Sequence, residues 1–181
     1  LADGAFLSAL LQGEIKVRFS EKPLRFAGKS YDPGSLVITK SDNRTNQNFT
    51  QTVTTLANTH QRSIVAVSSG FSDNGIDFGS TDIKIINKQR IAILKGEGVS
   101  SLSYGTLWYF MEQELKYPFT PLNTDSFNVD QLRNFDVLVM PSGWYRDLTQ
   151  GDTMSALKTW VREGGKIIAL DRALSAFADQ D

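Results

Sequence analysis

Cysteine is absent from this 181-residue chain. Disulfides, thiolate metal sites and a cysteine nucleophile are therefore excluded anywhere in it. Histidine occurs once, at His60. Zinc sites ordinarily draw on several His or Cys ligands, so no metal or other cofactor is expected in the chain. Charge of one sign is lacking too: 19 basic residues stand against 20 acidic ones. Without a basic excess there is no footprint for nucleic acid or an anionic membrane, and neither is an expected partner. No apolar run approaches the roughly 20 residues that a membrane-spanning helix needs.

What is present suits a folded domain. A hydrophobic fraction of 40% beside 22% charged residues is enough to build a core in one large domain or two small ones. The opening "LADGAFLSALLQG" reads as part of a helix stopped at Gly13, with neither an initiator Met nor a signal peptide. The expectation is a piece of a longer protein.

The pattern then changes along the chain. "EIKVRFS" alternates as a short strand, and "KPLRFAGKSYDPGSLVIT" reads as a hairpin. In that hairpin Leu24 and Phe26 precede a Gly-Lys-Ser turn, and the return strand runs from Ser35 to Thr39. "FTQTVTTLANTHQR" spaces Phe49, Val53, Leu56 and Ala57 as one helical face, and "SIVAVSSGF" has the composition of a buried strand. From Lys84 onward, strands alternate with helices: "RIAILKGEG", "SYGTLWYFMEQELKY", "FTPLNTDSF", "FDVLVMPSG", "DTMSALKTWVREGG" and "KIIAL". Strands apolar on both faces predict a parallel sheet covered on both sides. The link "IKIINKQRIAIL" is short and apolar, so its Ile residues are expected to be buried.

Four features could carry chemistry. The turn Gly96-x-Gly98-x-x-Ser101 follows a strand and opens a helix, as phosphate-binding turns do, although its third glycine is missing. "MPSGWY" ends a buried strand and puts Ser142, Gly143, Trp144 and Tyr145 at the carboxyl edge of the sheet. There the two aromatic rings either stack on a ligand or pack under the following loop. His60, late in a polar helix, is the one conventional base for a serine such as Ser69, Ser142 or Ser175. Asp171 sits at a sharp strand-to-helix turn in "GGKIIALDRALSAFA", where it serves as a catalyst or as a helix cap. The cap reading has its carboxylate accepting the N–H of Ala173 or Leu174. Asn43 and Asn48 each begin an Asn-x-Thr glycosylation sequon.

The landmarks "RIAILKGEG", "SYGTLWYFMEQEL", "FDVLVMPSG" and "ALKTWVREGGKIIALDRALSAFA" resemble a class I glutamine amidotransferase-like domain. The resemblance implies a flavodoxin-like α/β fold. Active members hold Cys at the place of Asp171, so it also implies a degenerate nucleophile position. "FLSALLQGEIKVRFSEKPLRFAGKSYDPGSLVI", "VSSGFSDNGIDFGS" and "GEGVSSLSYGTLWYFMEQELKYPFTPL" extend the resemblance over nearly the whole chain. They are similar to the region downstream of the catalytic domain in M14-type zinc carboxypeptidase-like proteins of Bacteroidetes-type bacteria. The peptidase signature of that family has no match here.

The expectation is a smaller α/β segment, residues 1–87, packing on an amidotransferase-like domain, residues 88–181. By resemblance it is a non-catalytic accessory part of an exported zinc peptidase. The parent would be periplasmic or secreted and would carry zinc in its peptidase domain. Its partners would be that domain in the same polypeptide and, by self-association, a homo-oligomer. The rival readings are a hydrolase using Asp171 or a Ser with His60, and a phosphate- or nucleotide-binding module at Gly96 to Ser101.

Overall fold

The computed structural model describes residues 1–145, 148 and 150–178. The chain forms two compact units, Leu1–Lys88 and Gln89–Asp181.

In the first unit, α1 (Ala2–Gln12) is followed by β1 (Val17–Ser20), β2 (Leu24–Phe26), β3 (Lys29–Tyr31), β4 (Leu36–Val37), α2 (Phe49–Thr59) and β5 (Ile83–Ile86). Phe6 and Leu10, four residues apart on α1, meet Val53 and Ala57, four apart on α2, over Ile15 and Val17. That i, i+4 spacing puts each pair on one helix face. β1 lies between β4 and β5, antiparallel to both. β2 and β3 form the expected hairpin with a different turn. Ala27 and Gly28, at φ +52° and +73°, make a two-residue turn of the kind that suits strand twist. The return strand therefore starts at Lys29, inside the segment expected to turn, and Leu36–Val37 pairs with β1 instead.

A polar knot ties this unit together. Arg18 grips Asp42 with Nε and Nη2 at 2.7 and 2.9 Å, and the Thr39 hydroxyl donates to the same carboxylate at 2.7 Å. Beside it the side chain of Asn43 is buried; it accepts from the Lys16 N–H and donates to the carbonyls of Lys16 and Thr39. An amide engaged in this way has no room for a glycan, whereas the second sequon residue, Asn48, is exposed. "SIVAVSSGF" is not a strand. Ile64 and Val65 are each 49% exposed in irregular chain. An apolar run becomes a strand only where a neighbour offers a ladder, and none pairs with it among the described residues.

The second unit contains β6 (Ile91–Lys95), α3 (Ser101–Tyr109) running into a π-helical turn Phe110–Glu114, β7 (Thr120–Asn123), β8 (Val137–Met140), α4 (Gly151–Arg162) and β9 (Lys166–Ala169). A 3₁₀ turn, Asp171–Leu174, and the short α5 (Ser175–Ala178) follow. The sheet order is β7-β6-β8-β9 and every pair is parallel. This is a flavodoxin-like α/β arrangement. Ala92, Leu94, Leu138 and Met140 pack with Leu157 and Trp160 of α4. The alternate residues Ile93, Val137 and Val139 pack on the opposite face with Met111, Tyr104 and Leu107 from the α3 side. Period-two alternation feeding two cores is why these strands read as continuously apolar.

Arg90 clasps Asp136 with Nε and Nη2 at 3.2 and 2.8 Å, joining the amino ends of β6 and β8. At the far end of α4, a side chain at Gly165 would overlap the Trp160 ring, so only glycine lets β9 start there. Two expectations are corrected. β9 is an edge strand with Ile168 48% exposed, not a fully buried one. In the link, Ile83 and Ile93 are buried but Ile85, opposite Arg18 on β1, is 42% exposed.

Candidate functional site

Strand order reverses between β6 and β8, and open α/β sheets bind ligands outside the carboxyl ends of the strands at such a point. The expected site residues do gather there, after β6, β8 and β9. They do not leave the crevice open.

The two loops that flank the reversal are joined by main chain. Ser100 N–H donates to the Ser142 carbonyl at 2.8 Å, and Trp144 N–H donates to the Gly98 carbonyl at 2.8 Å. Between these bonds Val99 and Gly143 form an antiparallel bridge. The Ser103 hydroxyl accepts the Ser142 N–H at 3.0 Å. The glycines permit this approach. A Cβ on Gly98, whose φ is +77°, would stand 2.6 Å from the Trp144 carbonyl oxygen, and one on Gly143 would stand 2.5 Å from that of Gly98. A Cβ on Gly96 would overlap the Asn123 side chain. A phosphate cradle needs free N–H groups aimed at the anion. Here the Ser100 N–H is taken by Ser142, and the Ser100 hydroxyl caps α3 by accepting from Ser103 N–H at 3.3 Å. Ser101 stands exposed on the first turn of the helix. Contact between loops accounts for these glycines.

Asp171 is the strained residue of the elbow, at φ +51°, a region that Asp tolerates better than most side chains. It is not the expected cap. The residue before it, Leu170, occupies the cap position, and Ala173 N–H bonds the Leu170 carbonyl at 3.0 Å. With left-handed backbone at Asp171, the carboxylate turns toward the end of the neighbouring strand. It accepts the Ser142 hydroxyl at 2.7 Å. That hydroxyl, then the Arg172 backbone N–H and the Arg172 charge, hold the carboxyl below the usual carboxylate range.

The aromatic pair divides. Tyr145 is buried and its hydroxyl donates to the Pro141 carbonyl at 2.7 Å, while burial pushes the phenol pKa up. Trp144 is 67% exposed, with the Arg172 guanidinium carbon 5.8 Å from its ring centre. One ring therefore packs under the loop and the other stands in solvent.

The serine and histidine candidates each make other local contacts. His60 closes α2, and its ring lies 6.0 Å from that of Phe6. Ser69 accepts the Phe71 N–H at 3.1 Å, Ser175 donates to the Arg172 carbonyl at 2.8 Å, and Ser142 is held by Asp171. Among the described residues no cluster of three or more His, Cys, Asp or Glu could hold a metal ion. No helix of the described chain is long and apolar enough to cross a membrane. An ionised Asp with a depressed pKa is a weak base toward a serine hydroxyl, so the Ser142–Asp171 pair has little power to generate a nucleophile. The pair joins residues 29 apart. Its only sequence signal is that both follow consecutive parallel strands, a placement that brings their turns together.

No protein-family model and no curated protein matches the chain. Among solved structures, a DJ-1 superfamily protein from Agrobacterium tumefaciens is similar at 18% identity with a TM-score of 0.36. The match covers 49% of this chain and 56% of that one, little more than half its length. The α/β assignment rests on strand order and direction rather than on that likeness.

Proposed function

We propose that this chain is an accessory, non-catalytic part of a longer exported protein, with a degenerate amidotransferase-type elbow used for support or recognition. The observation that carries the reading is Asp171. It occupies the strained elbow position where a nucleophile is expected, yet its carboxylate is engaged in accepting from the Ser142 hydroxyl and the Arg172 backbone N–H. The stitching of the β6 and β8 loops supports the same reading, since the Ser100 and Trp144 N–H groups bond the opposite loop rather than facing a ligand.

The parent is proposed on the sequence resemblance: a periplasmic or secreted M14-type zinc carboxypeptidase whose zinc lies in its own catalytic domain. The hydrolase alternative requires activity that depends on Asp171. Two measurements test the proposal. The purified chain should hydrolyse neither amide nor ester reporter substrates, and an activity lost in Asp171→Asn would reject the non-catalytic reading. Antibody capture from the native source, followed by peptide mass spectrometry, should recover one polypeptide carrying a zinc peptidase signature. Recovery of a polypeptide without one would reject the parentage alone.

A further inference from the structure

Three side chains that follow β8 and β9 stand in solvent with binding capacity unspent. Trp144 is 67% exposed, although tryptophan is highly buried on average. The Arg172 guanidinium carbon lies 5.8 Å from the centre of its ring, and the guanidinium has no hydrogen-bond or ion-pair partner among the described residues. Asp171 accepts the Ser142 hydroxyl on one oxygen, Oδ2, and an ionised carboxylate offers about four acceptor sites. Asp171 and Arg172 form no salt bridge with each other, so an exposed ring is flanked by an open acceptor and an open donor.

Charge and backbone chemistry narrow what this surface can hold. An anionic ligand would meet the Asp171 carboxylate, and a cationic one would meet Arg172; an uncharged ligand meets neither penalty. Peptides are commonly recognised through main-chain ladders, but here the Ser100 and Trp144 N–H groups are already spent between the two loops. Recognition is left to side chains. A sugar ring suits all three. Its C–H face packs on the electron-rich face of an aromatic ring. Its hydroxyls donate to a carboxylate and accept from a guanidinium, and bonds to charged groups are the stronger kind.

We infer that Trp144, Asp171 and Arg172 form a shallow binding site for an uncharged saccharide. Trp144 carries the apolar face of the sugar, Asp171 accepts its hydroxyls, and Arg172 donates to them. This ligand class rests on the recognition reading of the elbow proposed above.

The test follows the indole N–H signals of the whole chain by NMR. The chain has three tryptophans, and the Trp144 signal is the one lost in Trp144→Phe. Maltohexaose, cellohexaose and chitohexaose are titrated beside two controls, anionic hexagalacturonate and a capped uncharged hexapeptide. At least one neutral saccharide should shift the Trp144 signal saturably, and the controls should not. Trp144→Ala and Asp171→Gly should each weaken that binding about tenfold or more at an unchanged denaturation midpoint. Glycine suits the left-handed backbone at residue 171, so the second variant keeps the fold even if the first does not. The inference is overturned if no neutral saccharide shifts the signal, if a control binds as tightly, or if Asp171→Gly binds like the native chain. In each of those cases the non-catalytic reading stands. That reading fails separately, with binding intact, if the bound saccharide is cleaved and new reducing ends appear.

Discussion

Between β6 and β8 the carboxyl edge of the second unit's sheet is closed by main chain, whereas one strand further on it presents side chains. The loops Gly96–Ser100 and Ser142–Trp144 exchange backbone hydrogen bonds at 2.8 Å, and glycine makes their approach possible. After β9, by contrast, Asp171 and Arg172 are exposed and reach the β8 loop by their side chains, Asp171 to the Ser142 hydroxyl and Arg172 to the Trp144 ring. The same strand-to-helix chemistry thus yields a structural seal at one place and a displayed group at the next. A glycine-rich turn after a parallel strand is consequently no evidence of phosphate binding until its N–H groups are accounted for.

The largest effect should come from forcing the sealed loops apart. Gly98→Ala places a Cβ 2.6 Å from a backbone oxygen at a left-handed φ, and should cost about 3 kcal/mol in chemical denaturation. A cost below about 1 kcal/mol would mean the loops part easily, and the contrast between seal and display would fail.

A carboxylate of the first unit sharpens the contrast from another side. Asp42, like Asp171, has a depressed pKa, lowered to about 2, chiefly by Arg18 and with help from Thr39. It is a structural knot and not a displayed group. Asp42→Asn should cost about 1–2 kcal/mol at neutral pH. Because the folded pKa lies below the unfolded one, this stabilisation is complete above about pH 4 and fades as pH falls toward 2. Denaturation midpoints measured down that range should therefore fall more steeply for the native chain than for the variant.

The smallest effects belong to the elbow. Asp171→Gly should leave stability unchanged or slightly raised, because glycine adopts φ +51° freely, while Asp171→Ala should cost about 1 kcal/mol. Ser142→Ala should scarcely move the denaturation midpoint, yet NMR titration should show the Asp171 carboxyl moving up toward its ordinary range. A large stability loss in Ser142→Ala would make the elbow another structural knot, and the comparison would collapse.

Much of the second unit was legible beforehand. "RIAILKGEG", "FDVLVMPSG" and "KIIAL" mark β6, β8 and β9 because strands buried on both faces must be apolar at successive positions. The first unit was harder. Its strands are two to four residues long, too short for periodicity to separate pairing from mere apolar composition, and "SIVAVSSGF" was misread for that reason. At the site, the residues could be named but their bonds could not. Asp171 reads as a cap because capping is local. Its real partner, Ser142, is reached across the sheet edge.

Local chemistry in the sequence was enough to determine the absence of any cysteine-based catalysis, the α/β alternation after Lys84 and the glycines at the strand ends. These follow from residue type and spacing alone. Tertiary structure alone decided that Gly98 and Gly143 join two loops, that Asp171 faces Ser142, that Trp144 is exposed while Tyr145 is buried, and that β9 is the last strand of the sheet among the described residues. Each of these depends on which strands become neighbours, a contact between distant residues that spacing along the chain does not encode.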